Sequence, residues 1–196
     1  MSPHREKTIM KKSFAICFLL ASLIVLTGCQ STSGGMGGAA SAVEIDQEVD
    51  FALKKLYEST PSARMLARQA KGILVFPGIV KAGFIGGAQY GKGALRERGR
   101  TVGYYNIVAG SYGLQAGVQT FDYALFFMTQ KALDYLKSSK GWEIGVGPSI
   151  VVVDTGAAKS LTTTTAKDDV YAFIFGQKGL MAGLGLQGSK ITQINP

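Results

Sequence analysis

The chain has 196 residues, with 21 Lys and Arg against 13 Asp and Glu for a formal charge of +8, and its one histidine is His4. Its two cysteines are Cys17 and Cys29. These counts exclude histidine triads and histidine metal sites beyond residue 4. They also leave the chain after Cys29 without any thiol, so a packed core and not a disulfide framework must hold it.

The first element is an apolar run from Phe14 to Gly28, preceded by Lys11-Lys12 and ended by Leu26-Thr27-Gly28-Cys29. A basic head, an apolar core and a small-residue processing site make a secretory signal. The run falls short of the ~20 apolar residues that cross a bilayer. The sequence Leu26 to Cys29 resembles the bacterial lipobox. That resemblance implies removal of residues 1–28, with Met10 a second candidate start beside Met1. It also implies acylation of Cys29 on thiol and amine. Gln30 stands where an aspartate would retain a lipoprotein in the inner membrane. The expected location is therefore the outer membrane of a bacterial envelope, facing the periplasm or the cell surface. Residues 29–42 are rich in Ser, Thr, Gly, Met and Ala, which suits a flexible tether. Residues 43–196 remain for a single domain.

Charge is unevenly spread after Cys29. Residues 29–53 carry four acids and no base, residues 54–100 carry ten bases and two acids, and residues 101–196 carry seven bases and six acids. A basic block of this kind attracts anionic partners, among which an exported lipoprotein meets phospholipid or lipopolysaccharide far more readily than nucleic acid.

Val43–Tyr57 is predicted to be an amphipathic helix, with Ile45, Val49, Leu53, Leu56 and Tyr57 at three- and four-residue spacing. Acids crowd its start, while Lys54 and Lys55 lie near its end, as the helix dipole favours. Thr60 and Pro61 open a second helix that Gly72 stops. From Ile73 the pattern becomes that of strands: Ile73–Phe76, ended by Pro77-Gly78, then Val80–Tyr90, Ala94–Arg98, Thr101–Ala109 and Ser111–Val118. Glu97 to Arg100 reads as a hairpin turn. Thr120 is predicted to cap a third helix, Phe121–Leu136, with Leu125, Met128, Ala132, Leu133 and Leu136 inward. Trp142–Gly147, Ser149–Asp154, Asp169–Phe175 and Leu180–Gln187 are further strands, and Thr155–Lys167 is a polar loop. Glycine recurs inside the strands, which fits sharp bends and close approach of another backbone. The expected fold is α+β: a strongly curved, glycine-rich antiparallel sheet, barrel-like, packed with about three helices.

No catalytic constellation is legible. Asp168-Asp169 fits a solvated turn. Asp122 and Asp134 could share a helix face, but no third ligand completes a metal site. Gly83 to Gly87 lacks the G-x-G-x-x-G spacing, and Lys92 is followed by Gly93 and not by the Ser or Thr of a phosphate loop. The chain is read as non-enzymatic, with no cofactor and no metal.

Ala70-Lys71-Gly72-Ile73-Leu74-Val75-Phe76-Pro77, Val80 to Gly87, Tyr90 to Gly93, Gly110 to Gly117, Lys131-Ala132-Leu133 and Lys178 to Leu184 together resemble the SYLF domain family, also called the Ysc84 actin-binding domain family. The resemblance spans roughly residues 45–190. It implies a lipid-binding module. Eukaryotic members bind phosphoinositides, some bind actin, and bacterial members are commonly exported. It points to Lys54, Lys55, Lys71 and Lys81 as candidate contacts to anionic lipid, and the basic block adds Arg64 and Arg68. Two departures stand against a direct carry-over. Glu44, Asp46, Glu48 and Asp50 make the helix start acidic, and an exported protein meets neither actin nor phosphoinositide. The expected function is an outer-membrane-anchored lipoprotein that binds anionic phospholipid. The alternative is a structural or protein-interaction lipoprotein, docked on another envelope protein, without lipid affinity of its own.

Overall fold

Ser41 and Glu44 bond each other reciprocally: the Ser41 amide donates to Glu44 Oε2 at 2.8 Å and the Glu44 amide to Ser41 Oγ at 3.3 Å. This capping box satisfies two amides that have no partner inside the helix, and it starts α1 (Ala42–Ser59). Ile45, Val49, Ala52 and Leu56 form the buried stripe of that helix. Pro61 opens α2 (Pro61–Ala67) at its first helical position, while the Thr60 side chain makes no capping bond. The computed structural model describes residues 41–84, 86–112, 117–153, 167–179 and 188–196. Cys29, the predicted Leu180–Gln187 strand and nearly all of the Thr155–Lys167 loop lie outside them.

The described strands are β1 (Gly72–Gly83), β2 (Gly86–Glu97), β3 (Arg100–Tyr112), β4 (Gly117–Phe127), β5 (Trp142–Glu143), β6 (Ile150–Val153), β7 (Val170–Gly179) and β8 (Lys190–Ile194). They form one sheet in the order β5-β8-β3-β2-β1-β4-β7-β6. β6 and β7 run parallel and every other pair is antiparallel, so the sheet is mixed where an antiparallel one was expected. Sixteen residues, 154–169, separate β6 from β7 in sequence, where a parallel pair requires about a dozen or more.

The sheet is strongly rolled. Trp142 on edge strand β5 packs on Phe127 of β4 with ring centroids 5.8 Å apart, although four strands separate β5 from β4. In a flat sheet that separation would be about 24 Å. The concave side holds Leu74, Phe76, Tyr105, Phe121, Tyr123 and Phe127 together with Trp142 and the buried residues of α3 (Gln130–Ser138). The convex side carries α1 and α2 on Val75, Ala94, Ala124, Phe126, Tyr171 and Phe173. Glycine permits one of the close approaches this roll demands, since a Cβ at Gly93 would strike the Val75 carbonyl and the Phe76 ring.

Four predicted elements are redrawn. Phe121–Phe127 is strand, and the third helix begins only at Gln130, with Thr129 Oγ1 accepting from the Ala132 amide at 3.3 Å. The run Ala124-Leu125-Phe126-Phe127 is covered on both faces, and such strands lose the polar alternation that normally marks them. Asp122 therefore stands on β4 and Asp134 on α3, not on one helix. β1 continues through Pro77-Gly78, with a shift in register between Phe76 and Ile79. Gly78 takes φ of 57° there, so the pair marks a bulge and not an end. Val80–Tyr90 is two strands, β1 and β2, reversing between Gly83 and Gly86. Of Trp142–Gly147 only Trp142 and Glu143 pair in the sheet.

Candidate functional site

The segment leaving α2 and the β2–β3 turn meet at one end of the sheet. Glu97 pairs with Arg100 across the turn, leaving Arg98 and Gly99 as a two-residue loop with φ of 50° and 78°. Both values are left-handed, as a turn matching the twist of the strands requires. Gly99 adopts this freely. Arg98 does so at a cost of about 1 kcal/mol.

Arg68, Lys71, Arg98 and Arg100 line an open cleft of about 820 Å³ at this end. The lining carboxylate, Glu97, is engaged by Lys137. A second cleft of about 420 Å³ adjoins the first, sharing Arg68, Ala70 and Arg98, and its walls include Leu53, Tyr57, Ala67 and Ile73. Its two charged wall groups besides the shared arginines are already paired, with Arg96 Nη2 lying 2.7 Å from Asp50 Oδ1. A cationic basin thus opens onto an apolar one. Arg64 is exposed one turn before Arg68 and lines a shallow depression with it. Burial pushes the Tyr57 hydroxyl above its ordinary pKa, with the Arg64 guanidinium pulling the other way. Among the described residues none of Arg64, Arg68, Lys71, Arg98 and Arg100 lies within ion-pair distance of a carboxylate.

The six candidate cations separate in space. Arg64, Arg68 and Lys71 belong to this end of the molecule, and Lys54 is exposed on α1. Lys55 is committed elsewhere: its Nζ lies 3.0 Å from Asp122 Oδ2, while Asp122 Oδ1 accepts from the Gly78 amide at 2.9 Å. Lys81 is an interior residue, 6% exposed on the concave side, between Gln89 of β2 and Gln119 of β4. The charge block placed it on the surface because sequence position alone does not tell which face of a two-sided sheet a strand residue occupies. Arg98 and Arg100 belong to the basic block of residues 54–100 and to the expected turn, but not to the six candidate contacts. The signal that could have found them is the alternation Glu97-Arg98-Gly99-Arg100, with cations flanking a glycine that demands a tight reversal.

Other polar groups serve the fold. Asp46 accepts from Thr101 Oγ1 at 2.7 Å and Tyr104 Oη at 3.1 Å. Burial first, then that bond and the Asp46 charge, raise the Tyr104 pKa. Among the described residues no group of three or more His, Cys, Asp or Glu converges as a metal ion would need, and no helix is long and apolar enough to cross a membrane.

Residues 108–195 match the model of the Ysc84 family, described as Las17-binding protein actin regulator. The matched segment runs from the second half of β3 through β8 and overlaps the later part of the span, roughly residues 45–190, over which the sequence resembles that family. The charged residues of the cationic cleft, Arg68, Lys71, Glu97, Arg98 and Arg100, precede it, and Gln130 of the lining falls within it. No curated protein matches the chain.

Proposed function

We propose that this chain is a lipoprotein, anchored through acylated Cys29 in the outer membrane, whose Ysc84-like domain binds anionic phospholipid without catalysing a reaction. The observation that carries the reading is the cationic cleft opening onto an apolar one, with Arg68 and Arg98 shared between them. An anionic headgroup and the glycerol and first methylenes beneath it have that same division. The partial match to the Ysc84 family agrees with a domain of this class. The start of α1 adds a geometric argument: Asp46, in its second turn, bonds Thr101 beside the turn, so the N-terminal end of the described domain lies on the side of the cleft. Each cation near an anionic surface contributes about 1 kcal/mol, enough for a weak contact that the anchor makes effective.

Flotation of residues 41–196 with vesicles tests this. Co-flotation with phosphatidylglycerol or cardiolipin at low salt, release at high salt, and no binding to phosphatidylethanolamine alone are the expected results. Absence of binding to anionic vesicles at low salt would sink the proposal.

A further inference from the structure

α1 and α2 cover only part of the convex face. Beyond them, the strand registers define a single row across six strands: Lys178 (β7), Thr120 (β4), Val80 (β1), Tyr90 (β2), Val108 (β3) and Lys190 (β8). Val80, Tyr90 and Val108 are 45%, 47% and 45% exposed. The next row is Val118, Ala82, Ala88 and Gly110, all exposed. A side chain at Gly110 would meet only open space. The result is a largely apolar platform of Val, Ala, Gly and Thr around Tyr90, with a lysine at either end and Lys92 along one margin.

We infer that this platform docks an acidic amphipathic helix of a partner protein. Three observations converge on that occupant. The first is a template within the fold: α1 crosses this same face, from Arg96 and Thr101 on β2 and β3 to Asp122 on β4, with its apolar stripe down and Asp46 and Asp50 on Arg96. The second is space. On β2, Ala94 lies under α1 and Tyr90 lies four residues away, about 13 Å along the strand, which leaves the 8–10 Å that a neighbouring helix needs. A groove of about 460 Å³ separates α1 from the platform, and Phe51 of α1, 71% exposed, lines it. The third is charge. Lys178 and Lys190 close the two ends of the row. Cations at both ends select carboxylates and oppose a second copy of the same face. Glu143 follows Lys190 on the last strand, so the attraction is strongest at the Lys178 end. Small residues and an open glycine favour close approach of another backbone.

The test uses the full chain in the cells that make it, with photoreactive benzoylphenylalanine in place of Tyr90. The expected result is a protein adduct whose crosslinked peptide maps to an acidic amphipathic helix. That adduct should fall at least tenfold when Lys178→Glu and Lys190→Glu are combined, and persist when Arg68→Glu and Lys71→Glu are combined. Thermal melting of the variants must match the parent. A lipid adduct, a second copy of this chain, no adduct, or a protein adduct indifferent to reversal of Lys178 and Lys190 would each overturn the inference. The lipid reading of the cleft fails or survives separately, in the vesicle experiment.

Discussion

The two ends of the convex face use their cations differently. At the β2–β3 turn, arginines and a lysine without carboxylate partners among the described residues crowd two clefts beside α1 and α2. At the far end, lysines rim an apolar surface that no helix covers among the described residues. Between the two ends, Lys55 and Arg96 are spent on Asp122, Asp46 and Asp50, and they fasten α1 to the sheet. A cation's sequence position within the basic block therefore does not decide its role. Its role depends on whether an acid of α1 or β4 reaches it first.

Asp122 separates the two ends most sharply. It holds the β1 bulge through the Gly78 amide and holds α1 through Lys55. Asp122→Ala leaves that amide without its acceptor, and a charged hydrogen bond of this kind is worth about 3 kcal/mol. The Lys55 side chain is 40% exposed, so its share is small after screening by water. Guanidinium unfolding should show a loss of about 3 kcal/mol for Asp122→Ala and under about 1 kcal/mol for Lys55→Ala. Equal losses would mean that the ion pair, and not the bulge contact, fixes the middle of the face.

Next in size is the pair Arg68→Gln with Lys71→Gln. Both side chains are exposed, so stability should hold, while affinity for phosphatidylglycerol vesicles should fall by about 2 kcal/mol, or roughly 30-fold. Arg96→Gln should do the opposite, lowering stability through lost bonds to Asp46 and Asp50 and leaving vesicle binding nearly intact. A vesicle defect in Arg96→Gln as large as in the pair would erase the distinction between structural and free cations.

The concave core serves both ends alike, and Tyr123 is its anomaly. Its hydroxyl is buried without a partner among the described residues, and burial drives its pKa well above the ordinary 10. Tyr123→Phe removes an unsatisfied polar atom and should raise stability by about 1 kcal/mol at neutral pH. The sign of the pH effect follows from the raised pKa. The folded phenol stays protonated while the unfolded one ionises, so stability is full below pH 10 and declines as pH rises above it. Tyr57, Tyr104 and Tyr105 are shifted in the same direction. Unfolding midpoints between pH 8 and 11 should decline less steeply in Tyr123→Phe than in the parent. Parallel declines would show that this hydroxyl is reached by water.

The sequence made one side of this comparison legible and hid the other. The spacing of Ile45, Val49 and Leu56 marked α1, and Gly99 marked the turn, because both signals are local. The far platform depends on registers among β7, β4, β1, β2, β3 and β8, and no local signal reports them. Phe121–Phe127 looked helical because Phe121, Leu125 and Met128 recur at helical spacing within a run buried on both faces. Lys81 looked like a surface cation because glycine-rich β1 shows little alternation to assign its faces. The curvature was foreseen from the glycines, but the roll itself is set by Trp142 reaching Phe127 across four strands.

The smallest expected effect sharpens the comparison most. Arg98 is the described non-glycine residue with left-handed φ, at a turn position where asparagine is the favoured partner of a following glycine. If the turn served only to join β2 and β3, Arg98→Asn would improve it and cost nothing else. If the cationic cleft is a binding site, the same substitution separates two properties. Thermal stability should rise by under about 1 kcal/mol, because asparagine tolerates the left-handed region better than arginine. Vesicle affinity should drop by about 1 kcal/mol, roughly fivefold, for the lost charge. Arg98→Gly should give the same loss of affinity with a smaller gain in stability, since glycine relieves the backbone but widens the unfolded ensemble. A stabilised Arg98→Asn that floats with anionic vesicles as well as the parent would show that the strained arginine is an accident of the turn and would detach the cleft from lipid recognition.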